Sequence, residues 1–479
     1  MTESAPLPDI GSPLPDTYRR PHFSGLAGTG MSALAEWLLR RGIGVSGSDR
    51  LFDRGLEKEK RQHFEKLGAA IHPQDGTGLQ NATCLIVSTA IENTNPEIAA
   101  AKDRGLPVHH RAELLQAIAA RHHTLAISGT SGKSTVTGMA FAIFEAGGLR
   151  PSLLAGANMP GITARGMLGN AWAGEGSWLV MEADESDGTL VRYHPRIGVI
   201  LNIEKDHQEI SELLPLFATF RDQVTGTVIF GADDPFARGL ARPGDGGFDA
   251  RGVEIAGRRY GLSGLEWGDW ESRFLLNGIA FQVPLPGRHN VVNALAAIAA
   301  GLAAGIPLEA AAQGLKSFQG VERRHVHVAD VHGITVIDDF AHNPAKVRAC
   351  LDAVKSLSGG GRRVLAIFHP HGFAPMKLMG RDIMDQAAEV LSPDDRFFLP
   401  DIYYAGGTAD SSLQSSDLVQ YLNAVKPIGV AAGDKAQTAQ TVMAEAQKGD
   451  IVVSMGARDP GLGAFAQNLV ELLRKKFGS

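Results

Sequence analysis

Short apolar runs recur along the chain, and each is followed by a segment whose apolar positions fall at helical spacing. Cys84-Leu85-Ile86-Val87, Leu125-Ala126-Ile127, Trp178-Leu179-Val180-Met181 and Val199-Ile200-Leu201 are runs of the kind that lie buried on both faces of a parallel sheet. Between them, residues 32–41 carry Leu34, Trp37 and Leu38 on one helical face, and residues 111–120, 136–146 and the Ala-rich 294–304 continue the alternation. The texture resets after Gly320, and Ile334-Thr335-Val336-Ile337, Val364-Leu365-Ala366-Ile367-Phe368 and Ile451-Val452-Val453-Ser454 begin a third series. Strand alternating with helix predicts an α/β fold built on doubly wound, largely parallel sheets. The expected division is a flexible arm over 1–20 and domains over 21–120, 121–320 and 321–479.

Composition narrows the setting. A net charge of -6 argues against nucleic acid as a partner, because a phosphate backbone selects a basic surface. The two cysteines, Cys84 and Cys350, stand far apart in apolar surroundings and read as reduced core residues of a cytoplasmic protein, not as a disulfide or metal pair. No apolar run reaches the roughly 20 residues that a bilayer span needs. Residues 1–20 lack the basic start and apolar core of a secretory signal, and their prolines predict an arm outside the fold.

The chemistry concentrates where apolar runs end. Gly129-Thr130-Ser131-Gly132-Lys133-Ser134-Thr135 follows one such run and opens a helical pattern, an order that makes an anion site from loop N–H groups and a helix N-terminus. Lys133 then reaches the outer phosphates as a point charge, and the Ser134 hydroxyl is placed to ligate Mg²⁺. The spacing is tighter than G-x-x-x-x-G-K-[ST], since Ile127 stands where the first glycine belongs. Glu182-Ala183-Asp184-Glu185-Ser186-Asp187 ends another run and is read either as metal-holding carboxylates or as a solvated acidic turn. His207, beside Glu204 and Asp206, is read as lying near that metal. Asn290 and Asn293 open the Ala-rich helix, where reading an adenine edge is one account and an Asn cap with an exposed Asn explains them equally well. Near the N-terminus, Gly25, Gly28 and Gly30 precede a helix, and Asp49 closes the next strand, as in a nucleotide crevice; the glycine order opposes NAD. His325, His327 and Ala329 alternate, which is read as one strand face ahead of a metal pair.

Taken in order, these stretches resemble the Mur ligase family of ATP-dependent amide ligases, over roughly residues 22–473. The resemblance implies a three-domain architecture, with a Rossmann-like N-terminal domain, a P-loop ATPase central domain and a Rossmann-like C-terminal domain. It implies a UDP-sugar site at Gly28, Thr29, Gly30, Met31, Ser32, Asp49, Ser88, Thr89 and Ala90. ATP is expected on residues 129–135 with Asn290, Asn293, Arg324 and Asp339, and Mg²⁺ on Ser134, Glu182 and His207. Lys133, Glu182, His207, Arg324 and His342 are the implied catalytic set.

Within the family the motifs stand nearest the branch that joins L-alanine to UDP-N-acetylmuramate through an acyl phosphate. Three features depart from it. Ser131 stands where that branch usually has His, no Arg follows Pro370-His371, and Met376-Lys377-Leu378 is reminiscent of the recycling ligases that attach a preformed tripeptide. The amine is therefore expected to be L-alanine or a short peptide, with His371, Lys377 and Arg458 as candidate contacts and Gly406-Gly407 as room for it. A simple P-loop ATPase would use the central region alone and leave the first and third sites unexplained.

Overall fold

The computed structural model describes residues 10–185, 188–205, 208–357, 361–404, 412–459 and 461–477. Its first sheet has five parallel strands, in the order Ala70–Ile71, Ser46–Ser48, Pro21–Ser24, Cys84–Val87, Val108–His110. The order reverses between Pro21–Ser24 and Cys84–Val87, so the loops leaving those two strands diverge and open a crevice at their C-terminal ends. Helix Thr29–Arg40 covers this sheet and buries Leu34, Trp37 and Leu38 as their spacing predicts.

An eleven-stranded sheet follows. Its parallel part runs Ser152–Leu154, Trp178–Glu182, His123–Ser128, Ile197–Ile200, Thr227–Gly231, Gly246–Asp249. Strand His123–Ser128 is almost wholly buried and is flanked by Trp178–Glu182 and Ile197–Ile200. Three neighbouring strands thus deliver the phosphate loop, Glu182 and Asn202 to one edge. Beyond Gly246–Asp249 the sheet turns antiparallel through Gly252–Ile255 and Arg258–Trp267, an extension the sequence reading did not anticipate. Strands Ser272–Leu276 and Ile279–Val283 continue it, joined at Asn277-Gly278, where both residues have positive φ as a tight hairpin turn requires.

The third sheet has six strands, ordered Val326–Val331, Ile334–Asp339, Ile451–Gly456, Val364–His369, Arg396–Pro400, Gly429–Gly433, and only Val326–Val331 is antiparallel to its neighbour. The chain divides into two compact units. The first contains residues 1–265, 274–283 and 291–321, and the second contains 266–273, 284–290 and 322–479. Among the described residues no helix is long and apolar enough to cross a membrane.

Two expectations change. Residues 11–20, expected to lie outside the fold, are tied to it: Gly11 N–H donates to Arg121 O, Arg121 Nε donates to Pro13 O, and Tyr18 is buried. Leu14 packs against the hydrophobic core beside these bonds, which is why the prolines here do not release the chain. His325 precedes strand Val326–Val331 and does not share its face, because its φ of 52° turns the chain into the left-handed region.

Within the first unit the first two sheets are bonded through buried polar groups. Glu36 is fully buried, accepts from Leu168 N–H through both oxygens at 3.2 Å and pairs with His63. Asn170 donates through Nδ2 to Thr29 O at 2.8 Å. Replacing Glu36 with Leu keeps the volume but strands the Leu168 donor in the core. The expected loss is about 1–3 kcal/mol, read from urea unfolding followed by tryptophan fluorescence; an unchanged midpoint would show that Glu36 does not join the sheets.

Candidate active site

A phosphate loop is useful only if something other than its own donors holds it in shape. Here strand His123–Ser128 passes into Gly129, and helix Lys133–Ala146 starts with Gly132 as its N-cap and no side-chain cap. The first-turn N–H groups are therefore left for a ligand, beside the positive end of a 14-residue helix. Asn202, at the end of the neighbouring strand, supplies the clamp. Its Oδ1 accepts from Ser131 N–H at 2.8 Å and Thr130 Oγ1 at 2.9 Å, and its Nδ2 donates to Ser131 O at 3.1 Å. Thr130 Oγ1 in turn accepts from Glu204 N–H at 3.0 Å.

The glycines are required by close approach. A Cβ on Gly129 (φ 132°) would lie 2.9 Å from Leu201 Cβ, and one on Gly132 (φ 87°) would lie 2.7 Å from Asn293 Oδ1. Asn293 is thereby placed against the loop, while Asn290 is buried with its Nδ2 donating to Pro286 O at 2.7 Å. Asn290 thus donates its amide within the chain, where a helix cap would accept an N–H.

Lys133 is mostly buried and donates to Gly129 O and to Glu185 Oε2, each at 2.7 Å, with Asp184 Oδ1 at 3.7 Å. Burial alone would lower its pKa, but the carboxylates of Glu185 and Asp184 outweigh this and raise it, so the ammonium stays charged. Glu182 stands one strand away, its Oε1 accepting from Gly156 N–H at 2.9 Å. A Cβ on Gly156 would meet Glu182 Oε2 at 2.9 Å, so this glycine, like Asn202, belongs to the site although the sequence reading gave it no role. Ser134 and Thr135 are buried in the first turn of the helix. Ser131 Oγ lies 3.3 Å from Glu204 Oε2. Ser186, Asp187 and His207 lie outside the described residues.

The first crevice is built from loops 25–30 and 88–91. Gly25 (φ 83°) packs against Ile91, and Gly30 against Arg111. Gly28 and Thr29 are exposed, as are Thr89 and Ala90, with Ser88 half-buried, so these five line the opening. Met31 and Ser32 turn inward: Met31 joins the core, and Ser32 Oγ donates to Thr29 O at 2.9 Å. Asp49 is also buried, and its oxygens accept from Ala27 N–H and Leu51 N–H, both at 2.8 Å. It shapes the glycine turn while capping the following helix.

In the second unit, the loop after Ile334–Asp339 gathers several expected residues. Arg323 (φ 56°) pairs with Asp338 at 3.1 Å and donates to Gly456 O at 2.9 Å. Arg324 lies over the Phe340 ring at 4.8 Å, and its charge acts on Asp339. His342 donates through Nδ1 to Phe340 O at 2.8 Å and packs edge-on against His371, ring centres 5.8 Å apart. The two residues expected to serve catalysis and amine binding are therefore neighbours. Lys377 is exposed and donates to Ser412 Oγ at 3.0 Å; Arg458 is exposed with φ of 63°. Gly406 and Gly407 lie outside the described residues. Burial holds His289 and His325 neutral, each with a pKa pushed down to about 4.

Three family models match the chain: "Mur ligase family, catalytic domain" over residues 20–123, "Mur ligase middle domain" over 127–301, and "Mur ligase, glutamate ligase domain" over 323–458. The chain is similar to the UDP-N-acetylmuramate--L-alanine ligase of Streptomyces avermitilis, with 35% identity over 471 residues, covering 93% of this chain and 96% of the relative. The enzyme of the same name from Symbiobacterium thermophilum is 34% identical over 465 residues, covering 92% of each. Among solved structures, UDP-N-acetylmuramate-alanine ligase from Thermotoga maritima superposes with a TM-score of 0.77 at 23% identity, covering 95% of this chain and 99% of its own. A murein peptide ligase from Psychrobacter arcticus gives 0.65 at 22%, covering 95% and 98%.

The loop geometry generates a direct test. Gly132→Ala forces a side chain onto a left-handed backbone and into Asn293, a strain of about 1–3 kcal/mol. ATP binding by calorimetry should weaken about tenfold or more, with the thermal midpoint lowered by a few degrees. Wild-type affinity in this variant would mean the loop is not held as described.

Proposed function

This chain belongs to the Mur ligase family, and on that footing we propose that it joins L-alanine to the carboxylate of UDP-N-acetylmuramate with cleavage of ATP, in peptidoglycan precursor synthesis. The observation that carries the choice of substrates is the 35% identity that spans 96% of a relative named for this reaction. Because the reaction draws on ATP, we place it in the cytoplasm.

The chemistry explains the arrangement of groups. A carboxylate does not acylate an amine at neutral pH, because oxide is its leaving group. Transfer of the γ-phosphoryl group makes an acyl phosphate, and attack by the amine gives a tetrahedral adduct that expels phosphate. Such transfer needs positioning and charge neutralisation more than covalent help. Lys133 is the charge at the outer phosphates, and the N–H groups of residues 132–134 hold the rest of the phosphate chain. To reach the nucleotide, Lys133 exchanges the carboxylate of Glu185 for phosphate. Asn202 and Thr130 keep the loop shaped during that exchange.

The donors around the loop fit Mg²⁺. Ser134, Glu182 and Glu204 present hard oxygens beside a phosphate site, and when bound the ion would neutralise charge on the phosphates. Arg324, half-buried over Phe340, and His342, beside His371, are the second unit's candidates for stabilising the transferred group and receiving the amine. Gly28, Thr29 and residues 88–90 take the UDP-sugar, with Asp49 acting through the glycine turn it pins.

Lys133→Ala should abolish ligation while leaving UDP-sugar binding nearly intact, because the two sites sit on different sheets. The expected loss is roughly 2.7–4 kcal/mol of transition-state stabilisation, by analogy with removal of an oxyanion donor. Calorimetry showing an equal loss of UDP-sugar affinity would overturn this division of labour. The acceptor is tested by comparing kcat/KM for L-alanine with that for L-Ala-γ-D-Glu-meso-diaminopimelate. L-Alanine should be preferred, and glycine accepted about 10–200-fold less well. A tripeptide advantage of about tenfold, some 1.4 kcal/mol, would replace the biosynthetic reading with the recycling one.

A further inference from the structure

The first sheet carries a buried polar network to which the chemistry described so far gives no part. His22 on strand Pro21–Ser24, Ser48 at the end of strand Ser46–Ser48, and Glu97 in the first turn of helix Pro96–Asp103 are all fully buried. Glu97 accepts from both of the others, through Oε1 from His22 Nε2 at 3.0 Å and through Oε2 from Ser48 Oγ at 2.8 Å. The other ring nitrogen of His22, Nδ1, lies 2.8 Å from Ser46 Oγ. A carboxylate in a core is unfavourable unless donors meet its oxygens, and an apolar side chain of the same volume would often be as stable. What the carboxylate adds is direction, because bonds to both oxygens allow the helix one placement against the two strands.

Each member of the network leads to a wall of the first crevice. Ser48 O accepts from Gly25 N–H at 2.9 Å and Leu26 N–H at 3.0 Å, so the residue whose hydroxyl bonds Glu97 holds the glycine turn with its carbonyl. His22 lies on the strand that runs into the same turn. Glu97 belongs to the opposite wall. Its N–H donates to Asn95 Oδ1 at 2.9 Å, and Asn95 N–H donates to Glu92 O at 2.9 Å, which fastens the end of the loop that carries Ser88, Thr89 and Ala90. The walls meet at Gly25, where a Cβ would lie 3.0 Å from Ile91 Cδ1. We propose that His22, Ser48 and Glu97 are positioning residues for the sugar nucleotide. The inference rests on the ligase reading of this crevice and deepens it. The three side chains touch no substrate; they act through the glycine turn and loop 88–91, whose separation they set. A ligand gripped by two loops binds tightly only if the loops already stand at the right distance when it arrives, since ordering them on binding subtracts from affinity.

The test combines steady-state kinetics of the full chain, with UDP-N-acetylmuramate, L-alanine and ATP, and calorimetry with UDP-N-acetylmuramate alone. Ser48→Ala removes one hydroxyl, and Glu97→Gln removes the charge and one acceptor. Each should raise the KM and the Kd for UDP-N-acetylmuramate about tenfold. The kcat at saturation and the KM for ATP should stay within about twofold of wild type. The double variant should bind no worse than the weaker single one, because both changes cut the same link. Where Glu97→Gln does not fold, Ser48→Ala, the smaller change, decides the matter. Wild-type affinity for the sugar nucleotide in Ser48→Ala overturns the proposal. So does an equal rise in the KM for ATP, which would mark a role in stability alone. A wild-type chain that does not bind UDP-N-acetylmuramate overturns the ligase reading itself, and this inference falls with it.

Discussion

Everything in the central site follows from the need to keep a row of backbone donors unspent at the start of one helix. Helix Lys133–Ala146 cannot satisfy its own first N–H groups, and a side-chain cap would consume what the nucleotide needs. The loop is therefore held from outside. Asn202 grips it from the next strand, Asn293 closes on Gly132, and Leu201 leaves no space beside Gly129. The order of the sheet makes this possible, because Trp178–Glu182 and Ile197–Ile200 flank His123–Ser128 and end at the same edge. Topology brings the clamp and the acidic groups to the loop at no further cost in chain.

Much of this was legible in the sequence. Apolar runs ending in glycine or acid marked the strand termini, where open α/β sheets place their chemistry. The phosphate loop, Glu182 and the glycine turn stand out for that reason, and each lies at the end of a strand. What stayed hidden were contacts that depend on which strands become neighbours. Asn202 looks like any polar residue after a strand until His123–Ser128 pairs beside it, and Gly156 has no role until Glu182 lies across it. The orientation of single side chains was hidden too. Met31 and Ser32 lie in the glycine motif, yet helical periodicity turns them into the fold. The hairpin at Asn277-Gly278 carried a readable turn signal that drew no strand assignment.

The second unit shows a different economy of charge. Arg323 is spent on Asp338 and the Gly456 carbonyl, which leaves Arg324 over Phe340 as the arginine nearest Asp339. Adjacent arginines thus divide between an ion pair with Asp338 and the face of Phe340. Burial raises the pKa of Asp338 to about 6 despite its arginine partner.

The pairing of Lys133 with Glu185 also bears on which anions the loop admits. An entering ligand must replace an internal carboxylate 2.7 Å from the ammonium and leave that carboxylate to be hydrated or protonated nearby. A weakly charged anion gains too little from the exchange to displace it. A triphosphate brings several negative charges and meets the unpaired backbone donors at the start of helix Lys133–Ala146. The ion pair therefore sets a cost that every entering anion has to offset with its own contacts.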